Sequence, residues 1–163
     1  MSMDQMAFPT SGHDHRACVS GALRVAEQFC ERRGLRLTPI RRRVLELIWQ
    51  SHRPSGAYAL LEQLAAEGHK PSPPTVYRAL DFLLENGLVH RVSSRNAFVG
   101  CTHPGAEHMA QIFICDRCGI AVEQSDAAVN RRIHHKAQDL QFQIREQTVE
   151  IAGVCPRCRD KVR

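Results

Sequence analysis

No stretch of this 163-residue chain approaches the ~20 consecutive apolar residues that a helix needs to cross a bilayer, and a membrane protein is thereby excluded. The opening residues, Met1 to Gly12, lack the basic start and apolar middle of a secretory signal. The seven cysteines are accordingly expected in a reducing, cytoplasmic compartment, where metal binding is favoured over a disulfide framework. A catalytic motif is missing as well. A zinc hydrolase needs an open coordination position beside a general base, and the candidate sites below offer four ligands each and no such base, so an enzyme is not expected. Large apolar residues are sparse from Met1 to His15. Residues 1–15 therefore read as a flexible tail, and His13 and His15 within it are set aside as ligands.

Hydrophobic residues make up 43% of the chain and charged residues 24%, ordinary proportions for a soluble globular protein. The length suits two small domains sharing a dimer interface. Charge is uneven: residues 1–100 carry 13 Lys and Arg against 9 Asp and Glu, whereas residues 101–163 carry 9 against 8. The excess comes chiefly from Arg32, Arg33, Arg36, Arg41, Arg42, Arg43, Lys70, Arg78, Arg91 and Arg95. A basic face attracts phosphates and makes the resulting complex salt-sensitive; a solvated helical surface would account for part of the same charge.

Helical periodicity organises the first half. Val19, Leu23, Ala26 and Cys30 form one stripe from Ala17 to Arg33, and Gly34 ends it. Cys18 and Cys30 have no Cys or His at ligand spacing and read as packed thiols. Thr38-Pro39 opens a second helix, the threonine hydroxyl being able to accept from a backbone N–H and proline losing nothing at the first position. Ile40, Val44, Leu47 and Ile48 face inward there. A third helix, Ala57 to Gly68, carries Leu60, Leu61 and Leu64, with Tyr58 in its first turn. A fourth opens at Ser72-Pro73-Pro74 and runs from Thr75 to Asn86, with Val76, Ala79, Leu80, Leu83 and Leu84 buried. Thr75, Tyr77, Arg78 and Asp81 lie nearer its exposed face, and Gly87 stops it. The short Gly68 to Ser72 connection makes the last two helices a helix-turn-helix, whose recognition helix would offer Arg78 to guanine O6 and N7. Leu88 to Val92 and Ala97 to Cys101, joined by Ser93-Ser94-Arg95-Asn96, form a two-stranded wing. Three helices and a wing describe a winged helix, where the helices alone would equally fit a plain bundle.

The second half changes period. Met109 to Ile114 and Ile120 to Glu123 read as strands, and Asp126 to Asp139 as a helix with Val129, Ile133 and Ala137 inward. Leu140 to Ile151 reads as a strand with a bulge near Glu146, because Leu140, Phe142 and Ile144 share one parity and Val149 and Ile151 the other. The fold class is α+β, with a winged-helix domain and hinge over residues 16–103 and a small α/β dimerisation and zinc-binding domain over 104–163. So small a unit is short of core, and a metal and a partner subunit are the remedies.

Cys115-x-x-Cys118 and Cys155-x-x-Cys158 are the most specific signal in the chain. Four thiolates from two tight turns suit tetrahedral zinc; two redox pairs or two disulfides are the alternatives. Gly119 would let the backbone curl and donate its N–H to sulfur. The 36 residues between the pairs exceed a compact zinc ribbon, so such a site would tie the start of the domain to its end and serve folding. His90, Cys101, His108 and Glu123 follow no compact spacing. They become a candidate second site because His90 and Cys101 lie on the paired wing strands and His108 and Glu123 flank the first cysteine pair; one sulfur, two imidazoles and a carboxylate suit zinc better than iron. His103 could replace His108, and His134 and His135 could form a further site.

With these residues in place the chain resembles the ferric uptake regulator superfamily, and most of all its zinc uptake regulator branch, from about Ala22 to Cys158. The resemblance is carried by Leu37-Thr38-Pro39-x-Arg41, Pro74-Thr75-Val76-Tyr77-Arg78-Ala79-Leu80, Gly87-Leu88-Val89, Cys115-Asp116-Arg117-Cys118-Gly119 and Cys155-x-x-Cys158. It implies a bacterial, homodimeric winged-helix repressor that binds palindromic operators in double-stranded DNA, with one or two dimers per operator. It also implies two zinc ions per subunit: a structural ion on Cys115, Cys118, Cys155 and Cys158, and a regulatory one on His90, Cys101, His108 and Glu123. The family's DNA contacts fall on Tyr58 and Arg78, with Thr75, Tyr77, Arg41 and Lys70 as further candidates. Iron-sensing members carry a histidine-rich run before the first cysteine pair; Ala106-Glu107-His108-Met109-Ala110 keeps one histidine. A peroxide- or iron-responsive regulator on the same fold is the alternative.

Overall fold

The structure is a computed structural model that describes residues 8, 9, 14–106 and 108–161. Most of the expected tail, His13 included, lies outside the described residues. His15 does not: Asp14 accepts from the Ala17 N–H and caps helix α1 (His15–Arg32), which therefore starts inside the segment read as tail. At its other end Gly34 takes φ +64°, and Leu35 N–H closes onto Cys30 O at 2.9 Å, the glycine-terminated stop that the sequence suggests.

Helices α2 (Pro39–Trp49), α3 (Ala57–Ala66) and α4 (Pro73–Glu85) follow. Thr38 makes no side-chain cap to α2, contrary to expectation; Pro39, with its preset φ, opens the helix without it. Ser72 likewise spends its hydroxyl on Thr75 Oγ1, 2.9 Å away. Strands β1 (Val89–Val92) and β2 (Ala97–Gly100) pair antiparallel as the wing, with one 3-10 turn, Ser93–Arg95, at its tip. A feature absent from the periodicity is a third, bridge-like strand: Ser55, in the loop before α3, exchanges two 2.9 Å backbone hydrogen bonds with Phe98.

The main core gathers Phe29, Leu45, Ile48, Leu60, Leu64, Leu80, Leu83 and Val89 from the four helices and the wing. Burying each such side chain stabilises the fold by roughly 1.5–3 kcal/mol before entropy is counted. A smaller cluster, Val92, Ala110, Ile112 and Ile114 with Val99 and Ala121 against it, draws on both the wing and the C-terminal sheet. The wing is thus part of the second domain's core.

That sheet has the order β4–β3–β5, with β3 (Gln111–Cys115) antiparallel to β4 (Ala121–Gln124) and parallel to β5 (Val149–Gly153). The parallel pairing requires a crossover, supplied by α5 (Ala127–Asp139). Two expectations fail here. The segment from Leu140 is not a strand with a bulge: α5 ends in a hydrogen-bonded turn, with Gln141 left-handed at φ 53° and Phe142 N–H donating to Ala137 O at 2.8 Å, and pairing begins only at Val149. The parity switch near Glu146 therefore needs no bulge. Nor does α5 bury its stripe, since none of its residues is buried and Val129 is exposed.

Candidate metal centres and DNA-facing surface

Among the described residues two groups of four side chains bring one ligand atom each within 4.8 Å of all the others: Cys115, Cys118, Cys155 and Cys158, and His90, Cys101, His108 and Glu123. These are the two sets singled out from the sequence. His103 is exposed, with Nδ1 2.9 Å from the Thr102 hydroxyl. His134 lies 3.3 Å from Met109 Sδ and His135 near Asp139, and none of the three joins a cluster.

The cysteine cluster is assembled by β3, which ends on Cys115, and by α6 (Pro156–Asp160), which Cys155 precedes. Cys118 Sγ and Cys155 Sγ are 3.7 Å apart, close to the roughly 3.8 Å edge of a tetrahedron with 2.3 Å zinc–sulfur bonds. Backbone N–H groups of Cys155, Cys118 and Arg117 point at Cys115 and hold its thiol down at about 6, whereas burial and the neighbouring sulfurs push Cys158 up. Gly119 does not take the expected part. Its N–H donates to Cys115 O at 2.8 Å, not to sulfur, although its φ of +75° does need glycine.

The second cluster sits on the seam between the domains. Cys101 follows β2, its N–H on Leu88 O at 3.0 Å, and His90 occupies β1 beside it; Glu123 comes from β4. Glu123 Oε1 lies 2.9 Å from His90 Nε2 and 2.7 Å from His108 Nε2. The other carboxylate oxygen accepts from Thr102 N–H at 2.7 Å and Thr102 O–H at 2.9 Å, which fixes the group's orientation. Burial acts to raise the Glu123 pKa, but His90 and Thr102 outweigh it and bring the carboxyl to about 2. Burial and the Glu123 charge together drive the Cys101 thiol well above its ordinary value.

The donor set fits a cation. His108 Nδ1 lies 2.9 Å from Ala106 O, which puts the ring proton on Nδ1 and turns the Nε2 lone pair inward. That lone pair faces the Glu123 carboxylate and, 3.4 Å away, Cys101 Sγ. Electron-rich atoms so placed call for a proton or a metal among them. A sulfur, two imidazoles and a carboxylate, with one ligand atom each within 4.8 Å of all the others, suit zinc.

The surface read as DNA-facing is sparser than the arginine count suggested. Arg42 pairs with Glu27 and Glu46, Arg43 with Glu46 and Glu67, and Arg95 with Asp116. Arg41 stacks on Phe82, 3.8 Å from the ring centroid, and donates to Arg36 O. Tyr58 (70% exposed), Tyr77 (44%), Arg78 and Lys70 remain outward around α3 and the start of α4, and Thr75 is half-buried.

The chain is 42% identical over 134 residues, 82% of its length, to the zinc uptake regulation protein of Escherichia coli strain K12, of which the match covers 78%. A solved zinc uptake regulator complexed with zinc and DNA superposes with TM-score 0.82 at 40% identity, covering 88% of this chain and 96% of that one. Holo XcZur superposes at 0.80 with 47% identity, covering 86% and 98% of the two chains. The apo form of XcZur reaches only 0.52 at 46% identity, covering 87% and 98%. At nearly the same identity, the chain therefore superposes more closely on the holo form than on the apo form. The family model described as the ferric uptake regulator family matches residues 32–152. That span takes in most of the winged helix, the segment that follows it and the C-terminal sheet, and by it the chain belongs to the ferric uptake regulator family.

Proposed function

We propose that the chain is a zinc-responsive transcriptional repressor that binds palindromic operators in double-stranded DNA as a homodimer and controls zinc uptake genes. The observation that carries the reading is the convergence of His90, Cys101, His108 and Glu123 on one point of the interdomain seam. Wing strand β1 supplies His90, the residue after β2 supplies Cys101, and the C-terminal unit supplies the others. The E. coli relative is a zinc uptake regulator, and the solved relative holds zinc and DNA.

Zinc bound at the seam would give the four side chains a shared centre and so favour one arrangement of the two domains. Ligand and DNA then each strengthen the other's binding. Shifting such an equilibrium from about 1:99 to 99:1 takes ~5.5 kcal/mol of differential affinity. The second zinc of each subunit belongs to the four cysteines and serves folding. Arg78 on α4 reads base edges, with Tyr58, Tyr77 and Thr75 beside it; Lys70 and the N–H groups that Arg41 keeps outside its stack contact phosphate. Phe113, Val129, Leu140, Phe142 and Val154, all exposed on the C-terminal unit, support pairing with a second copy, since a lone domain would leave this apolar surface in water.

The test is selection of duplexes from a random pool by the zinc-loaded protein, then anisotropy titration of the selected site across buffered free zinc. Affinity that rises with zinc and saturates supports the reading. Binding that is tight without zinc, or that responds only to peroxide with zinc saturating, refutes it.

A further inference from the structure

A second tie crosses the same seam without using any candidate ligand. At the wing tip the 3-10 turn Ser93–Arg95 presents backbone N–H groups that a helix start leaves without internal partners. Glu150, on β5 and 56 to 57 residues distant in sequence, accepts from both: Oε1 from Ser93 N–H at 2.6 Å and Oε2 from Ser94 N–H at 3.1 Å. Burial acts to raise the Glu150 pKa, but the hydrogen bonds from Ser93 and Ser94 bring it below the ordinary glutamate value, as expected when the charged form is the one being held. Beside it Arg95 donates to Asp116 Oδ1 at 2.8 Å, and Asp116 N–H in turn donates to Gly153 O, at the end of Glu150's own strand. The Arg95–Asp116 pair is about half exposed on both sides and contributes little by itself. The Glu150 carboxylate, gripping two consecutive amides with both oxygens, is the stronger tie.

Such a contact exists only while the wing lies against the C-terminal sheet. The chain superposes on holo XcZur at TM-score 0.80 and on the apo form at 0.52; if the wing-against-sheet arrangement is the DNA-competent one, whatever favours it without metal raises the fraction of molecules already competent, and the apparent affinity for an effector scales with that fraction. We propose that Glu150 is a positioning residue, a metal-independent latch on the wing tip that sets the free zinc concentration at which the protein takes up DNA. The inference rests on the zinc-responsive reading given above.

The test compares the full-length parent with Glu150→Gln, which keeps the side chain's shape and removes its charge. The free zinc giving half-maximal binding to the selected duplex rises about tenfold, while affinity at saturating zinc stays within about twofold. In the metal-depleted hinge state, with the four-cysteine zinc retained, hydrogen exchange at the Ser93 and Ser94 amides accelerates about tenfold. A residue that merely supported folding would lower the melting temperature and slacken exchange throughout the sheet. A zinc midpoint within twofold of the parent, or Ser93 and Ser94 amides as protected as before, overturns the proposal. If the parent itself shows no zinc-dependent DNA binding while the variant's wing-tip exchange accelerates selectively, the repressor reading fails and with it the role in setting the zinc midpoint, and only the Glu150 hold on the wing tip survives.

Discussion

Glu123 Oε1 lies 2.9 Å from His90 Nε2, and that contact, spanning 33 positions of sequence, joins edge strand β4 of the C-terminal sheet to wing strand β1. Its surroundings are half dry: Glu123's side chain is 3% exposed and His90's 16%. A charge so placed is costly unless held by hydrogen bonds or a cation. The seam should therefore respond to protons, and to a metal if one binds there, in ways that can be measured.

Cys101 carries its proton at neutral pH in the metal-free chain, because burial and the Glu123 charge raise its pKa. Binding a metal there must release that proton. Zinc affinity of the hinge site should rise about tenfold per pH unit across the neutral range, one decade for each proton released. Competition titration against a chelator at several pH values checks it. Cys101→Ser should keep the fold and the four-cysteine zinc but lose hinge affinity by at least about 100-fold, more than the 10–100-fold typical of outer-shell partners.

Glu123 supplies a separate acid response in metal-free protein. Its folded pKa of about 2 lies below the ordinary 4.5. The stability it contributes is therefore fully present above pH 4.5 and lost as pH falls through 2. Thermal melts of hinge-depleted protein should show this loss, on the order of a few kcal/mol in all. Glu123→Gln should be less stable at pH 6 and flatter below pH 4.5, and parallel curves for the two proteins would refute the assignment.

Trp49 is the only tryptophan, and its indole covers Gly100 so closely that a Cβ there would collide with Cε2 and Nε1. The ring also lines a small cavity with Thr102 and Glu123. Indole emission should consequently change on zinc addition and saturate with the hinge site, and the change should vanish in Cys101→Ser. Gly100→Ala should displace the ring and cost about 1–3 kcal/mol, read by denaturant melts.

Substitutions at Arg78 and Arg41 test the proposed division between base reading and support. Arg78→Ala should weaken binding to the selected duplex by ~1–3 kcal/mol, or roughly 5- to 150-fold, and relax preference at one base pair. Arg41 is engaged with Phe82 and Arg36 O, so Arg41→Ala should cost ~0.5–2 kcal/mol of stability and reduce DNA affinity less. Melting and anisotropy on the same preparations distinguish the two.

Local chemistry was legible wherever one element decided it. Apolar spacing located α1 to α4, the glycines at 34 and 87 marked where helices stop, and two Cys-x-x-Cys pairs pointed to the four sulfurs that the fold brings together. These features depend on neighbours a few residues away, and sequence records such neighbours directly. Leu140 to Thr148 misled because its apolar alternation resembles a strand, whereas the left-handed Gln141 belongs to the end of α5.

What the sequence determined unaided was therefore the parts: a winged helix, a small α/β unit, and ligands of the right chemistry for zinc. Tertiary structure decided how those parts meet. Only there do Arg42, Arg43 and Arg95 prove to be engaged with carboxylates, and only there does the Glu150 carboxylate reach the Ser93 and Ser94 amides. The physical reason is reach. A carboxylate placed 57 residues from its partner leaves no periodic trace in the chain, and its worth depends on a distance of a few ångströms that packing alone sets.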